Sequence, residues 1–292
     1  MNKFILVATI AIALFSIPHT APTPQIEEQI VVHEAVIEDE IEITEPDATI
    51  EKPIQETVPE KPFIASDPSI TWEYAYVDST DGIIPYGLYT PSTAATNDKT
   101  PLIVWLHGAG EKEVSPSAFE SAGLPAILNN WDLHGFNAYV VCPQLKGDFN
   151  TRAWMTDEAV ENVRALIMRM INLYSIDTDK IILCGHSLGG QGTTYIASKM
   201  PDMFSCVAVL SGYTCWQQDL TIDIPMQGYV GICDVGESED SYYYMVGSFM
   251  KEYPQAEVFV VNTSHGELPY RAFTRDLNDD NKSDLVEWML YQ

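Results

Sequence analysis

The sequence is short of positive charge. It holds 15 Lys and Arg against 42 Asp and Glu, a formal net charge of −27. So negative a surface repels phosphate backbones and anionic lipid, which argues against nucleic acid and anionic membranes as partners and disfavours polyanionic substrates. Cysteine is scarce as well, five in number and therefore odd. No C-x-x-C pair occurs, which removes the spacing a structural zinc site needs. Cys142, Cys184, Cys206 and Cys233 lie in or beside apolar runs and read as small buried hydrophobes. A Cys206–Cys215 disulfide is the one pairing left open.

Long hydrophobic runs are missing too. The apolar stretch from Phe4 to Ile17 falls short of the roughly 18 residues that open a membrane-span reading. With Met1-Asn2-Lys3 before it and Pro18 after it, residues 1–20 read as a secretory signal peptide or an uncleaved N-terminal anchor. The expected location is extracytoplasmic, secreted or in the cell envelope. Residues 21–65 follow as an acidic spacer. Between residues 25 and 62, twelve acidic side chains face only Lys52 and Lys61, and Pro46, Pro53, Pro59 and Pro62 interrupt any long element. Such a stretch buries too little apolar surface to offset the entropy of ordering it, so it is expected to be disordered.

What is present lies in residues 66–292. Ser69 to Val77 and Ile83 to Tyr89 read as two strands joined at Asp81-Gly82. "PLIVWLHGAGE" is a continuous apolar run of the kind buried in a parallel sheet, closing in a glycine loop. Runs of the same character recur at Ala138 to Cys142, Lys180 to Cys184, Cys206 to Leu210, Met226 to Ile232 and Glu257 to Val261. Between them, Val160, Val163, Ile167, Met170, Ile171 and Tyr174 mark an amphipathic helix. Further helices are expected at Leu188 to Met200, Tyr242 to Tyr253 and Ser283 to Leu290, the last with Ser283 as its cap. Strands alternating with helices imply a three-layer α/β fold on a mostly parallel sheet.

One pentapeptide then stands out. Gly185-His186-Ser187-Leu188-Gly189 follows a strand and opens a helix, the placement of a nucleophile elbow. The glycines suit a strained turn that lifts the Ser187 hydroxyl clear, and the Leu188 amide at the helix start suits a developing oxyanion. A second donor is expected from His107-Gly108-Ala109-Gly110: the amide of Ala109, or else Gly110. His107 itself reads as structural. His265 is the sole histidine after Ser187, just past "EVFVV", and is the expected base. The adjacent His186 is expected to point elsewhere. Asp234, after "MQGYVGIC", is the expected acid that orients the imidazole, with Glu237 in reserve.

Taken together, "WLHGAGE", "VVCPQ", "KIILCGHSLGG", "GICD" and "SHG" resemble α/β-hydrolases of the dienelactone hydrolase-like branch. The likeness extends to secreted esterases of the polyhydroxybutyrate-depolymerase and feruloyl-esterase type and to peptidase-like relatives, over about residues 70–292. The resemblance implies a triad of Ser187, Asp234 and His265, an α/β-hydrolase fold and no cofactor or metal. The motifs are specific to the fold and not to a substrate. The chain departs by carrying "GICD" where a second His-Gly is common, and by lacking a Trp soon after His265.

Lids of this fold usually enter before the acid strand, and here only Ser211 to Pro225 separate two strands, so no cap domain is expected. An open site rimmed by Tyr213, Trp216 and Trp154 would suit bulky or polymer-linked esters. A weaker signal, Asp276, Asn278, Asp280, Asp284 and Glu287, has the spacing of a calcium loop and competes with the cap reading of Ser283. The expectation is a serine hydrolase of carboxylic esters. Its rivals are a serine peptidase with the same residues and a binding protein on a hydrolase scaffold.

Overall fold

Along the run Thr100–Leu106 the side chains of Leu102, Val104 and Leu106 pack into one buried cluster, and those of Ile103 and Trp105 into another. Alternate residues of a strand face opposite sides of its sheet, so both faces here must be covered. The computed structural model describes residues 71–77, 82–91, 99–111, 122–130, 136–145, 154–212, 222–234, 249, 251–275 and 283–292. The leader, the acidic spacer, Tyr213, Trp216, Glu237, most of the helix expected at 242–253, and residues 276–282 of the calcium-like stretch lie outside them.

Eight strands form the sheet: β1 (Thr71–Val77), β2 (Gly82–Tyr89), β3 (Thr100–Leu106), β4 (Tyr139–Pro143), β5 (Ile176–His186), β6 (Cys206–Leu210), β7 (Met226–Cys233) and β8 (Glu257–Ser264). Their spatial order is β1-β2-β4-β3-β5-β6-β7-β8. The strand β2 runs antiparallel to both β1 and β4, and every other pairing is parallel. Five helices are described: α1 (Gly123–Asn130), α2 (Asp157–Leu173), α3 (Leu188–Lys199), α4 (Leu268–Thr274) and α5 (Asp284–Leu290). Apolar side chains of α2 and α3 join the first cluster, and those of α1, α4 and α5 join the second. The result is a three-layer α/β fold.

Local chemistry explains the helix ends. Thr156 accepts from the Ala159 amide and Asp157 and Glu158 fill the first turn of α2, where negative charge complements the helix dipole. Ser283 caps α5 by accepting from Val286 N–H, with Asp284 and Glu287 in that helix's first turn. Cys142, Cys184 and Cys206 are buried free thiols, so the Cys206–Cys215 pair is not made. Burial pushes the Cys206 thiol up to about 12, which leaves it protonated and inert at neutral pH.

Chain order reverses at β3: the next strand, β4, lies on one side of it, and β5 on the other. In open sheets of this kind the crevice at the carboxyl ends near such a reversal receives ligands.

Candidate active site

The functional candidates sit immediately past the carboxyl ends of consecutive parallel strands. His107 follows β3, Ser187 follows β5, Ser211 follows β6, Asp234 follows β7 and His265 follows β8. The sheet therefore gathers residues distant in sequence along one edge. Register does the rest for the last two. Cys233 pairs with Ser264 across β7 and β8, so the residues that follow them are neighbours. His265 Nδ1–H donates to Asp234 Oδ1. The Asp234 side chain is fully buried, while that of His265 is 37% exposed, leaving one ring edge open to solvent.

Asp234 is held from behind as well. Ser211 Oγ–H donates to its Oδ2, and Gly231 N–H lies 3.4 Å from the same oxygen. Ser211 is buried and carries φ +48, a left-handed backbone that costs a non-glycine residue about 1–2 kcal/mol. That strain turns the hydroxyl beneath the carboxylate. Charge-assisted donors of this kind fix a carboxylate in position.

Ser187 is strained likewise, at φ +56 and ψ −117, where its amide donates to Leu210 O at 2.9 Å. The turn requires glycine on either side. A Cβ at Gly185 would strike the Gly189 carbonyl, and one at Gly189 would strike the Leu106 carbonyl. Leu188 is the first residue of α3 and Ala109 the first of a 3-10 turn (Ala109–Glu111), so neither amide has a partner within its own element. Gly108 brings the second amide's loop against the elbow: a Cβ there would lie 3.5 Å from Ser187 Cβ.

That loop is clamped. His107 Nδ1–H donates to Gly108 O at 2.7 Å, while its Nε2 accepts from Leu145 N–H at 3.1 Å, with Gln144 Nε2 at 3.2 Å. The tautomer is thereby set and the ring is neutral. Gln144 also donates to Glu111 O at 2.6 Å.

Two expectations need correction. Trp154 does not rim the site: it is 2% exposed, its indole N–H donates to His107 O at 2.9 Å, and its ring meets the His107 ring edge-on at 5.2 Å. An indole has an apolar body and one donor; the core cluster takes the ring and the His107 carbonyl takes the N–H. His186 does not point elsewhere. Its ring lies 4.6 Å from the His265 ring and its Nε2–H donates to His265 O at 2.9 Å. Burial, and then the facing His265 imidazole, lowers the His186 pKa to about 4, so it serves as a neutral donor that ties the elbow to the His265 turn.

Two further residues escaped sequence reasoning. Ser211 had one signal, its place directly after a buried parallel strand. Glu111 had another, a lone carboxylate closing the glycine loop after a buried strand; burial raises its pKa, opposed by the amides of Gly108 and of Glu111 itself and by His265.

Residues 148–267, which include Ser187, Asp234 and His265, match the family model described as the prolyl oligopeptidase family. A poly(3-hydroxyalkanoate) depolymerase C of Paucimonas lemoignei is 29% identical over 44% of this chain, which spans 31% of that protein. Among solved structures, a thermostable esterase superposes with a TM-score of 0.55 at 17% identity, covering 77% of this chain and 63% of that one. A ferulic acid esterase from Anaeromyces mucronatus superposes with 0.54 at 18% identity, covering 69% and 86%. The chain has the α/β-hydrolase fold. Its relatives within that fold are esterases and peptidases, and hydrolase chemistry is what they share.

Proposed function

We propose that this α/β-hydrolase cleaves carboxylic esters through an acyl-enzyme on Ser187. The observation that carries the reading is the Asp234–His265 pair, tied through His186 to a strained serine turn. In this reading His265 takes the hydroxyl proton through its Nε2 as Ser187 attacks the acyl carbon. Asp234 holds the Nδ1–H tautomer, and the amides of Leu188 and Ala109 receive the oxyanion. His265 then protonates the leaving alcohol, and water, deprotonated by the same ring, releases the acid. No cofactor or metal enters these steps.

The depolymerase relative and the esterase neighbours favour esters, including polymer-linked ones, for which an open rim at Tyr213 and Trp216 would leave room. Action outside the cytoplasm accords with the N-terminal segment. The match of residues 148–267 to the prolyl oligopeptidase model favours a second reading, a serine peptidase using the same residues. The deciding experiment is a panel of acyl esters and short peptides, with fluorophosphonate labelling of the wild type and Ser187→Ala. Ester turnover and labelling are expected, with kcat reduced by at least about 10³-fold in the variant. Cleavage of peptides alone would install the peptidase. No labelling and no turnover would leave a binding protein on a hydrolase scaffold.

A further inference from the structure

Glu111 stands beside the nucleophile without a part in the steps above. The open side of Gly108 locates it. A Cβ built there would lie 3.0 Å from Glu111 Oε2, 3.5 Å from Ser187 Cβ and 3.6 Å from His186 O. Carboxylate and nucleophile thus border the same small space. Beside it lies a small cleft lined by Trp105, Gly108, Glu111, Gly123 and His186.

The carboxylate is under-compensated there. Burial pushes its pKa up, and the counterweights are the Gly108 amide, its own amide and the more distant His265. The ion pairs among the described residues join Arg164 to Glu161 and His265 to Asp234; none of them reaches Glu111. A carboxylate offers about four acceptor positions, and among the described residues the donors that act on this one are the amides of Gly108 and of Glu111 itself. Unfilled acceptors in a partly dry site are costly, and a plain alkyl chain laid against them adds to that cost. A chain that carries its own O–H or N–H removes it. Sites built to bond a polar group reject the analogue that lacks it far more strongly than apolar pockets reject an extra methylene.

We propose that Glu111 reads the acyl group, selecting esters whose acyl chain carries a hydroxyl or ammonium donor close to the carbonyl over unsubstituted alkyl esters. This rests on the ester-hydrolase reading and gives it a substrate class. The negative surface of the chain also favours the ammonium arm at long range.

The test compares kcat/KM of the full chain for ethyl butyrate, ethyl 3-hydroxybutyrate and ethyl 3-aminobutyrate, followed by pH-stat at neutral pH. At least one donor-bearing ester is expected to exceed ethyl butyrate by about tenfold or more, the size of a charge-assisted hydrogen bond. Glu111→Leu is expected to abolish the preference, and Glu111→Gln to abolish its ammonium arm while sparing part of the hydroxyl arm. Wild-type ratios within about twofold of unity would overturn the proposal without recourse to any variant. So would a preference that survives Glu111→Leu. If the wild type hydrolyses none of the three and Ser187 resists fluorophosphonate, the ester-hydrolase reading falls and this inference with it. Hydrolysis of ethyl butyrate without preference defeats Glu111 alone.

Discussion

The two walls of the site are built on different principles. The wall at His107–Glu111 is clamped by neutral hydrogen bonds from Leu145, Gln144 and Trp154, and His107 is buried. The wall at Asp234 and His265 is held by a charged network, with Ser211 and Gly231 behind the carboxylate and the imidazole partly open. In the proposed function the contrast matches what each wall would have to do. Amides that meet a developing oxyanion contribute most when they need not reorganise, so that wall gains from rigidity. A base must accept and return a proton, so its wall needs a tunable charge and access to substrate.

Among the residues that support the two walls, breaking the charged wall at its least obvious point gives the largest effect on rate. Ser211→Ala and Ser211→Gly both remove the hydroxyl behind Asp234, and each is expected to lower kcat about tenfold, the scale of one hydrogen bond to a charged group. Backbone strain separates the two. Alanine keeps the cost of φ +48 and glycine does not, so the Gly variant should be more stable by about 1 kcal/mol, or roughly 2–4 °C in Tm. Full kcat in both variants would remove Ser211 from the positioning of Asp234.

The clamped wall should respond in stability before it responds in rate. Trp154→Phe keeps the ring and deletes the donor, leaving the buried His107 carbonyl without that bond. The expected cost is about 1–3 kcal/mol of stability. Because both proposed oxyanion amides survive, kcat should fall by less than about tenfold. Thermal melts and kcat measured together check it. A large rate loss at unchanged Tm would mean that this wall is tuned rather than clamped.

Legibility in the sequence followed the same division. Strand-length apolar runs made the central strands legible, because burial on both faces keeps their cores apolar, and the amphipathic spacing over 157–174 did the same for α2. The helices α1 and α4 left no such mark. They are short and carry Pro125 and Pro269, and packing against the sheet rather than periodicity sustains them. Ser187, Asp234 and His265 stood out as candidates because each follows a recognisable strand. The partners of Trp154, His186 and Ser211 could not: which carbonyl an indole reaches, or which carboxylate a serine supports, is decided by strand order and register.

The smallest effect at neutral pH concerns the joint between the walls. His186 is buried with a pKa lowered to about 4, whereas in the unfolded chain it titrates near the ordinary value of about 6.5. Above that value both states hold a neutral ring and the full stability is present. As pH falls from about 6.5 toward 4 the unfolded chain takes up a proton that the folded site refuses, so stability is lost across this window and the loss levels off below it. A shift of that size corresponds to roughly 3 kcal/mol. His186→Gln keeps an N–H that can reach His265 O and removes the titration. Urea midpoints measured across the window should therefore fall more steeply for the wild type than for the variant. Parallel curves would show that His186 protonates in place, and that the joint between elbow and His265 does not depend on a neutral ring.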